Sequence, residues 1–293
     1  MPLQRPAQIP WPYLNPNSPL YQGLVFAGLG PHPGGYDFHD CSPYRNHGRL
    51  TNMDPPTDWI WVLELGRWAL DFDATNDVVN LPAVFSTLDA SNAWTISAWI
   101  KSAGYVQYGG LVQAYATGLV QTKSTKWGVL RARGDVSVTK CSSSLVTTNV
   151  WTHVVGGAFG ADGGVGEDAN SFLYINGVAE SGWQGDPGYA PRNTLGAGYA
   201  TCNAALSDVL IHNRALFPAE ISALADRSNA LLVCGGVPLI LPLRRWWPVA
   251  AVGPYAVAAA QIVQSGVAAG QIVQAGVQAA QISRAGVAAG QIV

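Results

Sequence analysis

The sequence predicts an all-β sandwich, and three observations support this fold class. Glycine, tryptophan and proline are abundant, whereas only 12% of the 293 residues are charged, which is typical of turn-rich β domains rather than helical bundles. Residues 94–100 alternate large apolar side chains with small or polar ones, which is the period of a β-strand. Turn-forming residues separate this stretch from the strand candidates that precede it.

The stretch 66–101 organises the rest of the chain. Residues 69–73 and 78–81 are strand candidates, and Ala-Thr-Asn-Asp at 74–77 is a turn between them. The period of two in the third strand predicts two sets of side chains on opposite faces: Trp94, Ile96 and Ala98 on one, and Thr95, Ser97 and Trp99 on the other.

Further elements follow from turn chemistry. Residues 128–132 and 136–139 are predicted to pair as a hairpin around Arg-Gly-Asp at 133–135, which we interpret as a glycine-centred turn rather than an integrin motif. Asn-Gly at 176–177 predicts a second hairpin turn after the strand at 172–175. Residues 216–230 show the apolar spacing of one short helix.

Four segments, in order, resemble the signature of laminin-G-like, concanavalin A-like domains. They are DCSPYRNHG at 40–48, ALDFDATNDVVNLP with WTISAWIK at 69–101, WTHVV with FLYING at 151–177, and SDVLIHNRAL with EI at 207–221. The third segment is similar to the family pattern W-x-H-V followed by Y-x-N-G. The resemblance implies a concanavalin A-like jelly-roll sandwich, of the kind also found in tailed-phage virion proteins.

The sandwich is predicted to carry extensions at both ends. We divide the chain into a proline-rich arm at 1–19, the sandwich at 20–232, an apolar linker at 233–254 and a repeat tail at 255–293. The linker contains Arg-Arg-Trp-Trp-Pro at 244–248, a segment that resembles the ends of laminin-G-like proteins encoded in phage genomes.

The tail repeats every ten residues, with apolar side chains every five. A period of five forms no stripe on an α-helix, so we favour short strands that assemble the chain into a homo-oligomer such as a trimer. An alanine-rich helix and a disordered arm are the alternatives. The candidate assembly residues are Ile262, Val267, Ile272, Val277, Ile282, Val287 and Ile292.

Charge and cysteine content limit the function classes. The net charge of −2 gives no reason to expect nucleic acid as a partner. We find neither a secretory signal nor a run of 18 apolar residues, so no membrane association is expected. The four cysteines are scattered without a zinc spacing, and buried thiols are favoured over two disulfides.

Calcium is the cofactor that the family resemblance suggests. Laminin-G-like domains often hold one ion at the rim of the sandwich, and four residues stand in the corresponding motif positions: Asp40, Asn46, Asp77 and Asp208. Their oxygen atoms are the hard ligands that Ca²⁺ prefers. The alternative is that these side chains cap turns through hydrogen bonds to the backbone.

Carbohydrate binding requires exposed aromatic side chains beside polar groups. Trp183 and Tyr189 lie in a segment rich in glycine and proline and are the candidate glycan-binding residues. Most of the other aromatic residues are expected to pack in the core or in loops.

We predict that the protein is not an enzyme. A retaining glycoside hydrolase needs two carboxylates about 5 Å apart, and the best-spaced pair, Asp71 and Asp73, matches a structural element of the family pattern. His153 and His212 lie in strand motifs, where histidines more often satisfy hydrogen bonds in the core.

The sequence therefore predicts a structural and adhesive surface protein. The favoured setting is a phage virion, assembled in the host cytoplasm, in which the sandwich faces outward as a capsid decoration or fibre module. The expected partners are further copies of the chain, other virion proteins and glycans. The alternatives are an extracellular or cell-surface lectin and, less favoured, a divergent glycoside hydrolase.

Overall fold

The computed structural model describes residues 13–29, 35–82, 92–106, 109–115, 117–122, 125–133, 136–160, 170–187, 192–197, 200–226, 232–234 and 237–238. The chain divides into two compact units, Met1–Leu241 and Pro242–Val293, and all described residues belong to the first. Within these residues, no helix has the length and apolar character needed to cross a membrane.

Most described residues lie in short strands. The strands are Tyr13–Leu14 (β1), Leu24–Gly28 (β2), Asp37–Phe38 (β3), Gly48–Thr51 (β4), Trp59–Val62 (β5), Arg67–Asp73 (β6), Val78–Asn80 (β7), Ala93–Ser102 (β8), Gly110–Tyr115 (β9), Thr117–Gln121 (β10), Trp127–Arg133 (β11), Val136–Cys141 (β12), Trp151–Phe159 (β13), Ser171–Ile175 (β14), Val178–Ala179 (β15), Trp183–Pro187 (β16), Arg192–Leu195 (β17), Asn203–His212 (β18), Leu232–Cys234 (β19) and Val237–Pro238 (β20). The helices are a 3₁₀ turn at Pro19–Tyr21, α1 at Pro55–Asp58 and α2 at Pro218–Ala225.

Two antiparallel sheets form the predicted sandwich. One has nine strands in the order β16-β12-β11-β10-β9-β17-β7-β4-β3. The other has the order β15-β14-β13-β8-β18-β6-β5, and β2 pairs with the far half of β18. This architecture confirms the all-β, concanavalin A-like fold class.

The hairpins predicted from turn chemistry are present. Asn176 and Gly177 have φ angles of 50° and 79°, the left-handed values that a two-residue hairpin turn requires, and they join β14 to β15. Strands β11 and β12 pair with Arg133 opposite Val136. The predicted helix is α2, which is shorter than the pattern suggested.

The main core lies between the sheets. The predicted shared face of β8 is confirmed, since Trp94, Ile96 and Ala98 are fully buried together in this core. Gly156 of β13 pairs with Ile96 in the same sheet. A Cβ atom on Gly156 would lie 2.4 Å from the Cγ2 atom of Val129 in the other sheet. A glycine is therefore needed at this position for the two sheets to approach each other.

The outer face of the eight-stranded sheet is also buried. A second apolar cluster packs α2 and the 3₁₀ turn against this face, with Leu20, Leu210 and Ile221 among its members. The Arg214 guanidinium ties these parts together by donating to both carboxylate oxygens of Glu220 and to the carbonyl oxygen of Gln22. This contact lowers the pKa of the Glu220 carboxyl group.

A small third sheet joins the two ends of the first unit. β1, within the predicted arm, pairs with β19, and β19 pairs with β20 of the predicted linker. The boundaries that we drew between arm, sandwich and linker stay predictions, and the repeat tail lies outside the described residues.

Candidate functional site

One line of paired residues crosses the outer face of the nine-stranded sheet. In order from β3 to β9, each residue lies opposite the next in the strand register: Asp37, Arg49, Asn80, Thr194 and Gln113. Neighbouring strands are about 4.8 Å apart, so these five residues, which we call the outer row, extend over about 19 Å.

Alternation along each strand assigns the outer row to the face that points away from the core. Phe38, Leu50 and Val79 directly precede or follow members of the row and are buried in the core between the sheets. Successive side chains on a strand point to opposite faces, so the row faces outward. Every member carries a polar side chain, which gives this face a continuous line of hydrogen-bonding groups.

The β3–β4 end of the outer row is exposed and carries an aromatic ring. The Arg49 guanidinium donates to an oxygen of Asp37 at 2.8 Å and lies over the ring of Tyr36, 5.3 Å from its centroid. Tyr36 is 52% exposed. Next to them, the Asn80 amide donates to the Thr51 hydroxyl at 2.9 Å.

The other end of the outer row is buried. Gln113 is 1% exposed, and neither its amide nitrogen nor its amide oxygen has a hydrogen-bond partner among the described residues. Gly118 lies opposite Gln113, and a Cβ atom there would come within 3.2 Å of the Gln113 Cγ atom. The row thus ends in a buried amide whose hydrogen-bonding capacity is unused within the described structure, an arrangement that is costly unless something else satisfies it.

The predicted metal residues Asp40 and Asn46 lie in one turn. The two carboxylate oxygens of Asp40 accept from the backbone N–H groups of Ala27, Ser42 and Asn46, and one also accepts from the Ser42 hydroxyl. The Asn46 side-chain amide donates to the Val25 carbonyl oxygen. Both side chains therefore hold the turn against β2, as the capping alternative predicts.

Asp208 and Asp77 occupy different surroundings. Asp208 forms a buried ion pair with Arg67 at a β-bulge in β18. Asp77 accepts a hydrogen bond from the Asp73 backbone, and burial, followed by the charge of Asp73, raises the pKa of its carboxyl group. The described residues contain no group of three or more histidine, cysteine or acidic side chains arranged to hold a metal ion. Calcium binding stays a prediction.

The remaining predicted binding residues fall largely outside the described structure. The backbone of Trp183 begins the edge strand β16, opposite Lys140 of β12, while its side chain is not described. Tyr189 and the seven assembly residues between Ile262 and Ile292 also lie outside the described residues. Their roles stay predictions.

The two strand histidines serve the core, as predicted. His153 shares a 2.9 Å hydrogen bond with the Ser97 hydroxyl, and His212 contacts the Leu20 carbonyl oxygen at 2.8 Å through Nε2. Burial lowers the pKa of each imidazole to about 4, and Nδ1 of each ring has no hydrogen-bond partner among the described residues.

The three cysteines whose side chains are described, Cys41, Cys141 and Cys202, form no disulfide. Cys141 and Cys202 are buried, as predicted, whereas Cys41 is half-buried. Burial, followed by the charge of Asp40, raises the pKa of Cys41 to about 12, and burial also raises that of Cys202. Neither of these two thiols is therefore activated as a nucleophile.

Sequence reasoning did not find the outer row. The available signal was the alternation within β4, where Gly48 and Leu50 are buried while Arg49 and Thr51 are exposed. Alternation identifies which side chains share a face within one strand, but it does not say which strands are neighbours. The five members come from five strands between residues 37 and 195, and their alignment depends on the sheet order.

Two stacked antiparallel sheets with a shared apolar core define the class of protein as a concanavalin A-like β-sandwich. A laminin G-type family model, described as the Concanavalin A-like lectin/glucanases superfamily, matches residues 73–222, just over half of the chain. The chain belongs to this family. No curated protein matches it in a sequence search.

Three solved structures that match part of the chain have low sequence identity to it. Trypanosoma rangeli sialidase in complex with the inhibitor DANA is 15% identical, with a TM-score of 0.47 over 68% of this chain and 32% of that one. The binding domain of Paraclostridial Mosquitocidal Protein 1 is 16% identical, with a TM-score of 0.46 over 70% and 52%. Botulinum neurotoxin type C, in a structure concerned with its interaction with two ganglioside molecules, is 12% identical, with a TM-score of 0.48 over 70% and 51%. The chain thus spans 32–52% of the length of these chains.

Proposed function

We propose that the chain is a non-enzymatic carbohydrate-binding protein and that the accessible part of its outer row, from Asp37 to Thr194, contacts the glycan. The observation that carries this proposal is the single register line of Asp37, Arg49, Asn80, Thr194 and Gln113 across five neighbouring strands. A sugar chain presents hydroxyl groups along its length, and a straight line of amide, hydroxyl and charged groups is complementary to it.

The composition of the row supports a polar, hydroxyl-rich ligand. Asn80 offers both donors and an acceptor, and Thr194 offers a hydroxyl group, whereas Gln113 is buried at the closed end of the row. At the exposed end, the ring of Tyr36 provides an apolar surface beside polar groups, the combination that binding sites for small polar ligands use to fix orientation.

The state of the candidate catalytic groups supports a role without catalysis. Ser97 and His153 form a serine–histidine pair, but both side chains are at most 2% exposed and lie in the interior. Asp73 uses a carboxylate oxygen to accept the backbone N–H of Thr75 in the following turn. These side chains are engaged in maintaining the fold.

We expect Asn80→Ala to weaken glycan binding about fivefold, because it removes an exposed hydrogen-bonding group worth roughly 1 kcal/mol from the middle of the row. The measurement is a glycan array followed by calorimetric titration of the strongest oligosaccharide. Thr148→Ala is the matched control, since Thr148 is exposed in the loop between β12 and β13. Equal affinities for the two variants would place the site elsewhere.

We further propose that the protein is displayed on a virion surface, with the tail mediating self-association. This setting is supported by the repeat sequence at 255–293 and by the resemblance to phage-encoded laminin-G-like proteins. An extracellular lectin is the alternative. Both settings use the same sandwich and differ in whether the tail assembles the chain.

The tail proposal predicts a change in mass. We expect the full chain to form a defined oligomer such as a trimer, and a chain truncated after Pro254 to be a monomer, because the repeats are too few and too short to bury a core within one chain. Light scattering measures both masses. If both chains are monomers, self-association through the tail is wrong and the lectin alternative becomes the leading account.

A further inference from the structure

We propose that Arg49 binds the carboxylate group of an acidic sugar at the β3–β4 end of the outer row. This inference rests on the proposed carbohydrate-binding function and adds the chemical class of the ligand. Two observations support it: the contacts that orient the Arg49 guanidinium group, and the N–H groups of Arg49 that form no hydrogen bond within the described structure.

Arg49 is fixed from two sides. One terminal nitrogen donates to Asp37 at 2.8 Å, and the guanidinium carbon lies 5.3 Å from the centroid of the Tyr36 ring. Asp37 and Arg49 also lie directly opposite each other in the register of β3 and β4. A long side chain held by both an ion pair and a ring contact loses less conformational freedom when it binds a ligand.

The remaining donors of Arg49 are open. Within the described structure, its Nε atom and its second terminal nitrogen form no hydrogen bond, and the side chain is 63% exposed. Two N–H groups of this kind form the planar fork that matches the two oxygens of a carboxylate. Asp37 orients the group by occupying one terminal nitrogen.

The neighbours of Arg49 fit the rest of an acidic sugar. Asn80 lies opposite Arg49 on β7 and, with the Thr51 hydroxyl 2.9 Å from its amide, offers hydrogen bonds to sugar hydroxyl groups. The exposed ring of Tyr36 offers a surface for the apolar face of the sugar ring. A carboxylate, hydroxyl groups and an apolar ring face occur together in uronic acids and related acidic sugars.

The test compares one oligosaccharide in two forms: a uronic-acid oligosaccharide and the same oligosaccharide with its carboxyl groups reduced to alcohols. Calorimetric titration of the full chain is expected to show about tenfold tighter binding of the acidic form at low salt. Arg49→Gln should remove this preference, because its loss of affinity is expected to be about tenfold larger for the acidic form than for the neutral form. Arg49→Lys should retain only part of the preference, because an ammonium group cannot form the fork.

Arg45→Gln is the matched control, since it removes the same charge from an exposed side chain outside the row and should keep the preference. Equal binding of both forms by the unaltered chain would overturn the role of Arg49 while leaving carbohydrate binding in place. If Arg49→Gln still prefers the acidic form, the role of Arg49 is likewise overturned while carbohydrate binding stays in place. Binding of neither form, together with an array without hits, would overturn both proposals.

Discussion

Replacing Arg67 by methionine is expected to lower the free energy of unfolding by about 3–5 kcal/mol, the range found when one partner of a buried ion pair is removed. Arg67 and Asp208 are the partners, and their side chains are only 11% and 7% exposed. Methionine keeps much of the volume of arginine but leaves the Asp208 carboxylate in a poorly solvated site without its cation.

The position of Asp208 in the fold prevents its carboxylate from moving easily into solvent. It lies in the bulge of β18 with a φ angle of 48°, so its backbone is held in a left-handed conformation that aspartate and asparagine tolerate better than most residues. The next residue, Val209, is fully buried in the core, which anchors the bulge. Moving the carboxylate to solvent would require this part of the sheet to rearrange.

Urea denaturation of matched variants tests this expectation. The double variant Arg67→Met with Asp208→Asn should recover part of the lost stability, because it also removes the carboxylate charge that Arg67 balances and keeps a residue suited to the bulge. Arg49→Met is the control, since it breaks an exposed ion pair and should cost no more than about 1 kcal/mol. A loss below 1 kcal/mol in Arg67→Met would mean that the ion pair does not stabilise the fold.

The parts of the fold that sequence predicts well are those that depend on near neighbours in the chain. Asn176 and Gly177 predict their hairpin because few residues adopt two consecutive left-handed conformations. The alternation from Trp94 to Ile100 predicts which side chains of β8 share a face for the same local reason, the pleat of a strand, although both faces are buried.

Less could be predicted where the contacts join distant parts of the chain. The Arg67–Asp208 ion pair links residues 141 positions apart, and the outer row needs the order of five strands. The polar residues of the turn at 40–47 were identified by pattern, but a pattern does not distinguish a carboxylate that holds a metal ion from one that accepts backbone N–H groups. In Asp40 the oxygens accept three such groups, a result that only the packing of β2 against the turn reveals.

The stability of the protein is expected to fall steeply as the pH drops from about 6.5 to about 4, because of two buried histidines. His153 and His212 have ordinary pKa values near 6.5 when unfolded, whereas burial lowers the pKa of each to about 4 in the folded protein. In this pH range the unfolded chain binds more protons than the folded one, so acid favours unfolding. Each histidine should contribute about 3 kcal/mol, present in full above pH 6.5 and lost by pH 4.

Substitution of the histidines separates this effect from general acid sensitivity. His153→Gln and His212→Gln keep an amide that reaches the Ser97 hydroxyl and the Leu20 carbonyl oxygen, but they cannot take up a proton. Each should therefore flatten the dependence of the unfolding free energy on pH, measured by urea denaturation at several pH values between 4 and 7. Ser97→Ala is the matched control for His153→Gln, because it removes the hydrogen-bond partner of His153, lowers stability at every pH and leaves the titrating imidazole in place.

An unchanged pH dependence in both glutamine variants would show that other groups cause the acid sensitivity. A flattened one would establish that protonation of the buried imidazoles causes the acid sensitivity.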